Sequence, residues 1–109
     1  MDELTAIESL AALSQESRLR VFRSLVQAGP EGLAAGVIAL ELDIVPNTLS
    51  THLAQLTRAG LIRRTRDGRI IRYAADNAGI RALLTYLLED CCQGRPELCR
   101  PAVATVACC

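Results

Sequence analysis

Lysine and tryptophan are absent from this 109-residue chain, Phe22 is its only phenylalanine and His52 its only histidine. With aromatic side chains limited to Phe22, Tyr73 and Tyr86, any core must be aliphatic. No apolar run approaches the roughly 20 residues of a membrane span. The opening Met1-Asp2-Glu3-Leu4 is acidic where a signal peptide would be basic. These absences predict a soluble, cytoplasmic domain with no membrane partner. Enzyme signatures are missing as well: there is no phosphate-cradling glycine loop and no Cys-x-x-Cys pair. Cysteine is absent from residues 1–90, and all five (Cys91, Cys92, Cys99, Cys108 and Cys109) fall in the remaining stretch. A disulfide-stapled secreted fold would spread its cysteines through the core, so this cluster points instead to metal binding or redox response in a reducing compartment.

What is present fits one small domain. Half the chain is apolar, enough for a core, and a small helix-rich domain commonly gains further burial by dimerising. The formal net charge of zero conceals a sharp asymmetry. All twelve basic residues are arginine, and six of them (Arg58, Arg63, Arg64, Arg66, Arg69 and Arg72) lie within residues 58–72, where Asp67 is the only acid. A basic segment on an acidic body favours one anionic contact surface, with nucleic acid as the natural partner; a solvated charged hairpin is the plainer alternative.

Along the chain, Leu4, Ile7, Leu10, Ala11 and Leu13 recur at helical spacing. Ser14 reads as the N-cap of a second helix, about Gln15 to Gln27, with Leu19, Phe22, Leu25 and Val26 facing inward. Ala28-Gly29-Pro30 stops it. A shorter helix spans roughly Leu33 to Leu40. Pro46 suits the first turn of the next, which runs to about Ala59 with Leu49, Leu53 and Leu56 as its buried stripe. Two helices joined by a short turn form a helix-turn-helix. Two β-prone runs then flank Asp67-Gly68, a hairpin signal of type I′, and a hairpin in this place is a wing. Helical spacing returns from about Asn77 to Cys92. The expected architecture is mainly α with a small β-hairpin, a winged helix-turn-helix homodimer, with residues 1–92 as the DNA-binding and dimerisation domain and 93–109 as a cysteine-containing tail.

The proposed reading helix offers Asn47, Thr48, Ser50, Thr51, His52, Gln55 and Arg58 around its leucine stripe, groups that hydrogen-bond phosphates and base edges. Arg66 and Arg69 at the hairpin tip are placed to reach a flanking groove or backbone of double-stranded operator DNA. Arg63, Arg64 and Arg72 alternate across the strands, so only some can face DNA. A lone helical histidine such as His52 is more often a boundary residue than a base reader.

The run from Ser50 through His52, Leu53, Leu56, Ala59 and Gly60 to Leu61, with the arginine-rich wing ending at Arg72-Tyr73, resembles the signature of the ArsR/SmtB metalloregulatory repressors. Upstream, the stretch from Leu13 and Ser14 through Arg18 and Leu19 to Phe22 is similar to that family's second-helix entry. The resemblance covers roughly residues 5–90. It implies a dimeric repressor that leaves inverted-repeat operators when a metal or metalloid binds. It also implies that Leu4, Ile7 and Leu10 pack with Leu83, Leu84, Leu87 and Leu88 across a two-fold axis.

The family's arsenic sensors often carry thiols just before the reading helix, but residues 39–45 hold no cysteine, which excludes that site. The last helix has no histidine for the interfacial zinc site found in other members. The stretch from Cys91-Cys92 to Cys99 instead resembles an arsenite-responsive branch with a vicinal pair at the end of the last helix and a third cysteine soon after. Adjacent residues of an intact helix point about 100° apart, so both thiols reach one ion only where the helix ends. Three soft thiolates suit As(III), Sb(III) or a methylated trivalent arsenical such as methylarsenite as inducer. Zinc would need a fourth ligand from Cys108 or Cys109, otherwise accessory thiols. A thiol redox sensor, a zinc-responsive repressor, a thiol-dependent reductase and a metal-sequestering module remain as alternatives.

Overall fold

The computed structural model describes residues 1–89. Its elements are α1 (Glu3–Leu13), α2 (Glu16–Ala28), β1 (Leu33–Ala34), α3 (Ala35–Leu42), α4 (Pro46–Arg58), β2 (Ile62–Asp67), β3 (Ile70–Ala75) and α5 (Asn77–Leu88). The three strands form one antiparallel sheet in the order β1-β3-β2. The architecture is a winged helix-turn-helix, as the sequence predicts. The cysteines, with the end of the expected last helix and the tail 93–109, lie outside the described residues.

One aliphatic core joins the elements. Val21 and Leu25 of α2, Ile38 of α3, the Leu49-Leu53-Leu56 stripe of α4, Leu61, Ile62 and Leu83 of α5 are all buried. The sequence names Leu19 and Val26 as inward-facing, yet both are exposed, and Val21 takes the buried position with Leu25. Helical spacing alone allows either neighbouring face, and packing against α4 decides between them. Helix α1 behaves differently again. It docks through its small residues Ala6, Ser9 and Ala12, leaving Leu4, Ile7 and Leu10 exposed. Ser9 is fully buried and its hydroxyl donates to the Ala59 carbonyl at the end of α4 (3.2 Å), which supplies the polar partner that burial demands.

The caps also differ from expectation. Ser14 closes α1 rather than opening α2: both its N–H and its hydroxyl donate to the Ala11 carbonyl. Gln15 caps α2, its side-chain oxygen accepting from the Arg18 N–H at 2.8 Å. In the wing, Asp67 pairs with Ile70, so the two loop residues are Gly68 and Arg69, one step beyond the expected Asp-Gly pair. Gly68 has φ +64° at the first loop position, where a type II′ turn requires glycine, while Arg69 keeps negative φ. Strand β1, which the sequence reading merged with the third helix, pairs Leu33 with Tyr73 and Ala34 with Arg72, adding a third strand to the wing.

Helix α5 is pinned where the wing begins. The Asp76 carboxylate accepts from the N–H groups of Ala78 and Gly79, and its own N–H donates to the Leu61 carbonyl (2.9 Å). Gly79 lies so close to the Gly60 backbone that a Cβ there would sit 1.7 Å from the carbonyl oxygen. This close approach sets the angle of α5 against the rest of the fold.

Candidate nucleic-acid interface

Helix α4 starts with Pro46 in its first turn, where the missing N–H costs nothing, and Val45 in extended backbone precedes it. The turn before it closes through Asp43, in the left-handed region at φ +53°, and an Ile44 N–H bond to the Ala39 carbonyl. The leucine stripe holds one side of α4 to the core, so the opposite arc is solvent-facing. At about 100° per residue, Asn47, Thr51, Ala54 and Arg58 run along the middle of that arc. Ser50 lies on one flank, Thr48 and Gln55 on the other. Asn47, Thr48, Ser50, Thr51 and Arg58 are exposed, as the sequence predicts, and Gln55 is half-buried. Ala54 also lies in the middle of the exposed arc, a place that the roughly 100° periodicity gives and that a pattern of polar residues alone passes over. Its methyl suits contact with a thymine methyl.

His52 departs from the expected set. At 8% exposure it belongs to the inner boundary of α4, not to the open face, and its Nδ1 has no partner. Burial, together with the positive charge of Arg18, pushes its pKa below the ordinary histidine value. Gln55 is engaged by Arg18, whose Nη1 donates to its Oε1 at 2.7 Å while Nε donates to the Ala12 carbonyl at 2.8 Å. These two residues, with Glu8, Ala11, Ala12, Arg58 and Ala59, line an open cavity of about 310 Å³ at the seam between α1 and α4.

The wing arginines divide by strand alternation. Arg63 and Arg72 share one face, Arg64 and Arg66 the other. Arg63 is committed to the fold, donating to the carbonyls of Ala75 (3.2 Å) and Pro30 (3.1 Å). Arg64, Arg66 and Arg69 are exposed, and Arg66 Nε donates to the Gly68 carbonyl along the turn. The one ion pair among the described residues is Arg20–Glu16 on α2, so the wing cations and Arg58 have no carboxylate partner there. Exposed cations that no described carboxylate neutralises, beside a polar helix face, can bind a polyanion at low desolvation cost.

Of the residues predicted for a dimer face, Leu4 (65%), Ile7 (54%), Leu10 and Leu87 are exposed, and Leu84 and Leu88 are half-buried. Leu83 is a correction: at 6% exposure it is already spent in the core of its own chain. Among the described residues no group of three or more His, Cys, Asp or Glu side chains is placed to hold a metal ion, and Asp76 is occupied as a cap. Cys91, Cys92, Cys99, Cys108 and Cys109 lie outside the described residues. No described helix is long and apolar enough to cross a membrane.

This arrangement of helices and wing defines a helix-turn-helix regulator, and comparison with known proteins narrows the class. The helix-turn-helix domain family matches residues 13–65. A Halobacterium salinarum protein named for an arsenical resistance operon repressor is 38% identical over 78 residues, covering 72% of this chain and 59% of its own length. The chain thus spans under two thirds of that relative. The Bacillus subtilis HTH-type transcriptional regulator YbzH is 33% identical, covering 77% of this chain and 96% of its own. Among solved structures, an ArsR-like transcriptional regulator from Rhodococcus sp. RHA1 superposes with a TM-score of 0.75 at 26% identity, over 95% of this chain and 93% of that one. The homodimeric winged helix-turn-helix domain of Mb0332 from Mycobacterium bovis gives 0.63 at 25% identity, over 79% and 80%. The chain belongs to the HTH-type transcriptional regulators, and its winged helix-turn-helix fold is similar to that of ArsR-like regulators of known structure. It is a regulator rather than an enzyme, in keeping with relatives named as regulators and repressors.

Proposed function

We propose that this protein is a cytoplasmic, arsenic-responsive repressor that holds operator DNA as a homodimer and releases it when its C-terminal thiols capture a trivalent metalloid. The observation that carries the DNA reading is the exposed polar arc of α4 beside wing arginines with no carboxylate partner among the described residues. In the proposed dimer two such arcs enter successive major grooves one helical turn of DNA apart, while Arg66 and Arg69 contact the flanks.

The dimer reading is supported by the inverted packing of α1. Exposed Leu4, Ile7 and Leu10 of α1 and Leu87 of α5, with half-buried Leu84 and Leu88, offer apolar surface that the described residues leave open. Fully burying each large aliphatic side chain contributes roughly 1.5–3 kcal/mol, so water is a poor occupant for that face. The homodimeric Mycobacterium bovis domain shows one member of this fold pairing with itself.

The inducer reading rests on Cys91, Cys92 and Cys99, with Cys108 and Cys109 as accessory thiols. The set begins three residues beyond the end of α5, a helix of the proposed dimer face. Soft thiolates favour As(III), with Sb(III) and methylarsenite close in chemistry. The archaeal relative named for arsenical resistance agrees in kind. Capture there would bias α5 and the spacing of the two reading helices. Coupling of about 1–3 kcal/mol per site, in two sites, is enough to empty an operator.

Titrating the reduced protein on its promoter DNA with arsenite, zinc or an oxidant tests the reading. Release by arsenite near one equivalent per chain, lost in the Cys91→Ser, Cys92→Ser and Cys99→Ser variants, is expected. DNA binding that ignores arsenite but responds to oxidant or zinc would move the thiols to redox or zinc sensing.

A further inference from the structure

We propose that Arg18 is a positioning residue for DNA reading: it holds the Gln55 amide by its oxygen, so that α4 turns the amide hydrogens toward the bases. The proposal rests on α4 being the reading helix. A guanidinium only donates hydrogen bonds, so the 2.7 Å contact from Arg18 Nη1 fixes which end of the amide faces the protein. Arg18 is itself held at three points. Its Nε donates to the Ala12 carbonyl in the last turn of α1, its backbone N–H donates to Gln15, and Nη1 reaches across to α4. Both Arg18 and Gln55 are half-buried, which shields the bond from competing water.

The consequence is one of specificity. A glutamine free to use both ends of its amide pairs bidentately with adenine, accepting from N6 and donating to N7. Here Oε1 accepts from Arg18, and the amide groups that make no hydrogen bond to a described residue are the two N–H bonds of Nε2. Position 55 therefore offers donors to the major groove, which match the paired acceptors O6 and N7 of guanine better than the mixed edge of adenine. Gln55 lies on the flank of the exposed arc, so it reads one edge of the site while Asn47, Thr51 and Arg58 occupy the middle.

The test is fluorescence anisotropy of the full chain on its promoter DNA and on single base-pair variants of it. One position should prefer guanine by about 5- to 100-fold, the range of one good base contact. Gln55→Ala and Arg18→Gln should each flatten that preference, the double variant should flatten it no further, and Arg18→Lys should recover part of it. Gln55→Glu keeps an oxygen for Arg18 but presents an acceptor outward, and should shift the preference from guanine toward cytosine. That variant carries the test if Arg18→Gln does not fold. Arg18→Gln weakening every operator alike with the guanine preference intact, or Gln55→Glu retaining it, would overturn the proposal. A wild-type protein with no sequence preference at all would sink the DNA-reading assignment itself.

Discussion

Among the described residues, helices α1 and α4 each have one face left uncovered, and the chemistry of those faces is opposite. Helix α4 packs its three leucines inward and shows Asn47, Ser50, Thr51 and Arg58 to solvent. Helix α1 packs inward with alanine and serine and shows Leu4, Ile7 and Leu10. A helix that buries its large apolar side is complete within one chain. One that buries its small side approaches its neighbour closely and leaves its largest apolar area for something else. The difference separates two kinds of surface in one small domain, a polar face that we propose meets a polyanion and an apolar face that we propose meets a second copy.

The sharpest way to break the comparison is to make α1 resemble α4. Ile7→Glu combined with Leu10→Glu alters exposed positions, so the chain should keep its helical circular dichroism. It should shift to monomer in sedimentation and lose operator affinity by about 100-fold or more, because the two half-sites are no longer held together. An unchanged sedimentation coefficient would remove the dimer role of that face. The reverse change acts on the inward side of α4: Leu53→Ala should cost about 2–5 kcal/mol in urea unfolding, since Leu53 is fully enclosed. A loss below about 1 kcal/mol would mean that the stripe is not the anchor of the reading helix.

The smallest expected effect comes from His52, between the two faces of α4. Its folded pKa lies below the ordinary value of 6.5. The unfolded chain therefore binds the proton first as pH falls. Stability from the neutral imidazole is complete above about 6.5 and declines as pH drops through 6.5 toward the folded value. Urea midpoints should fall between about pH 7.5 and 5.5 in the wild type and fall less in His52→Leu. Parallel curves for the two proteins would show that His52 does not titrate differently on folding.

Much of this was legible in the sequence because it is written in strong local signals. Pro46, the leucine stripe and Gly60 delimit α4, and two β-prone runs around a glycine announce the wing. The misses share a cause: they are settled by what packs where. Whether α2 turns Leu19 or Val21 inward depends on α4, and a two-residue strand such as β1 has no periodicity to detect. Leu83 and His52 sit at the edges of their helix faces, where spacing cannot separate a core residue from a contact residue. Arg18, which grips Gln55 across 37 positions in sequence, left no local trace at all.

The most direct test of the account is the salt dependence of operator binding, measured by anisotropy between about 50 and 200 mM salt. The wild type is to be compared with a variant carrying Arg58→Ala, Arg66→Ala and Arg69→Ala. Log affinity should fall linearly with log salt in both, and the variant's slope should be shallower by about six, close to one per lost phosphate contact in a dimer that loses three arginines from each chain. An identical slope in a folded, dimeric variant would contradict the account, because the α4 and wing arginines would then not be what meets the DNA.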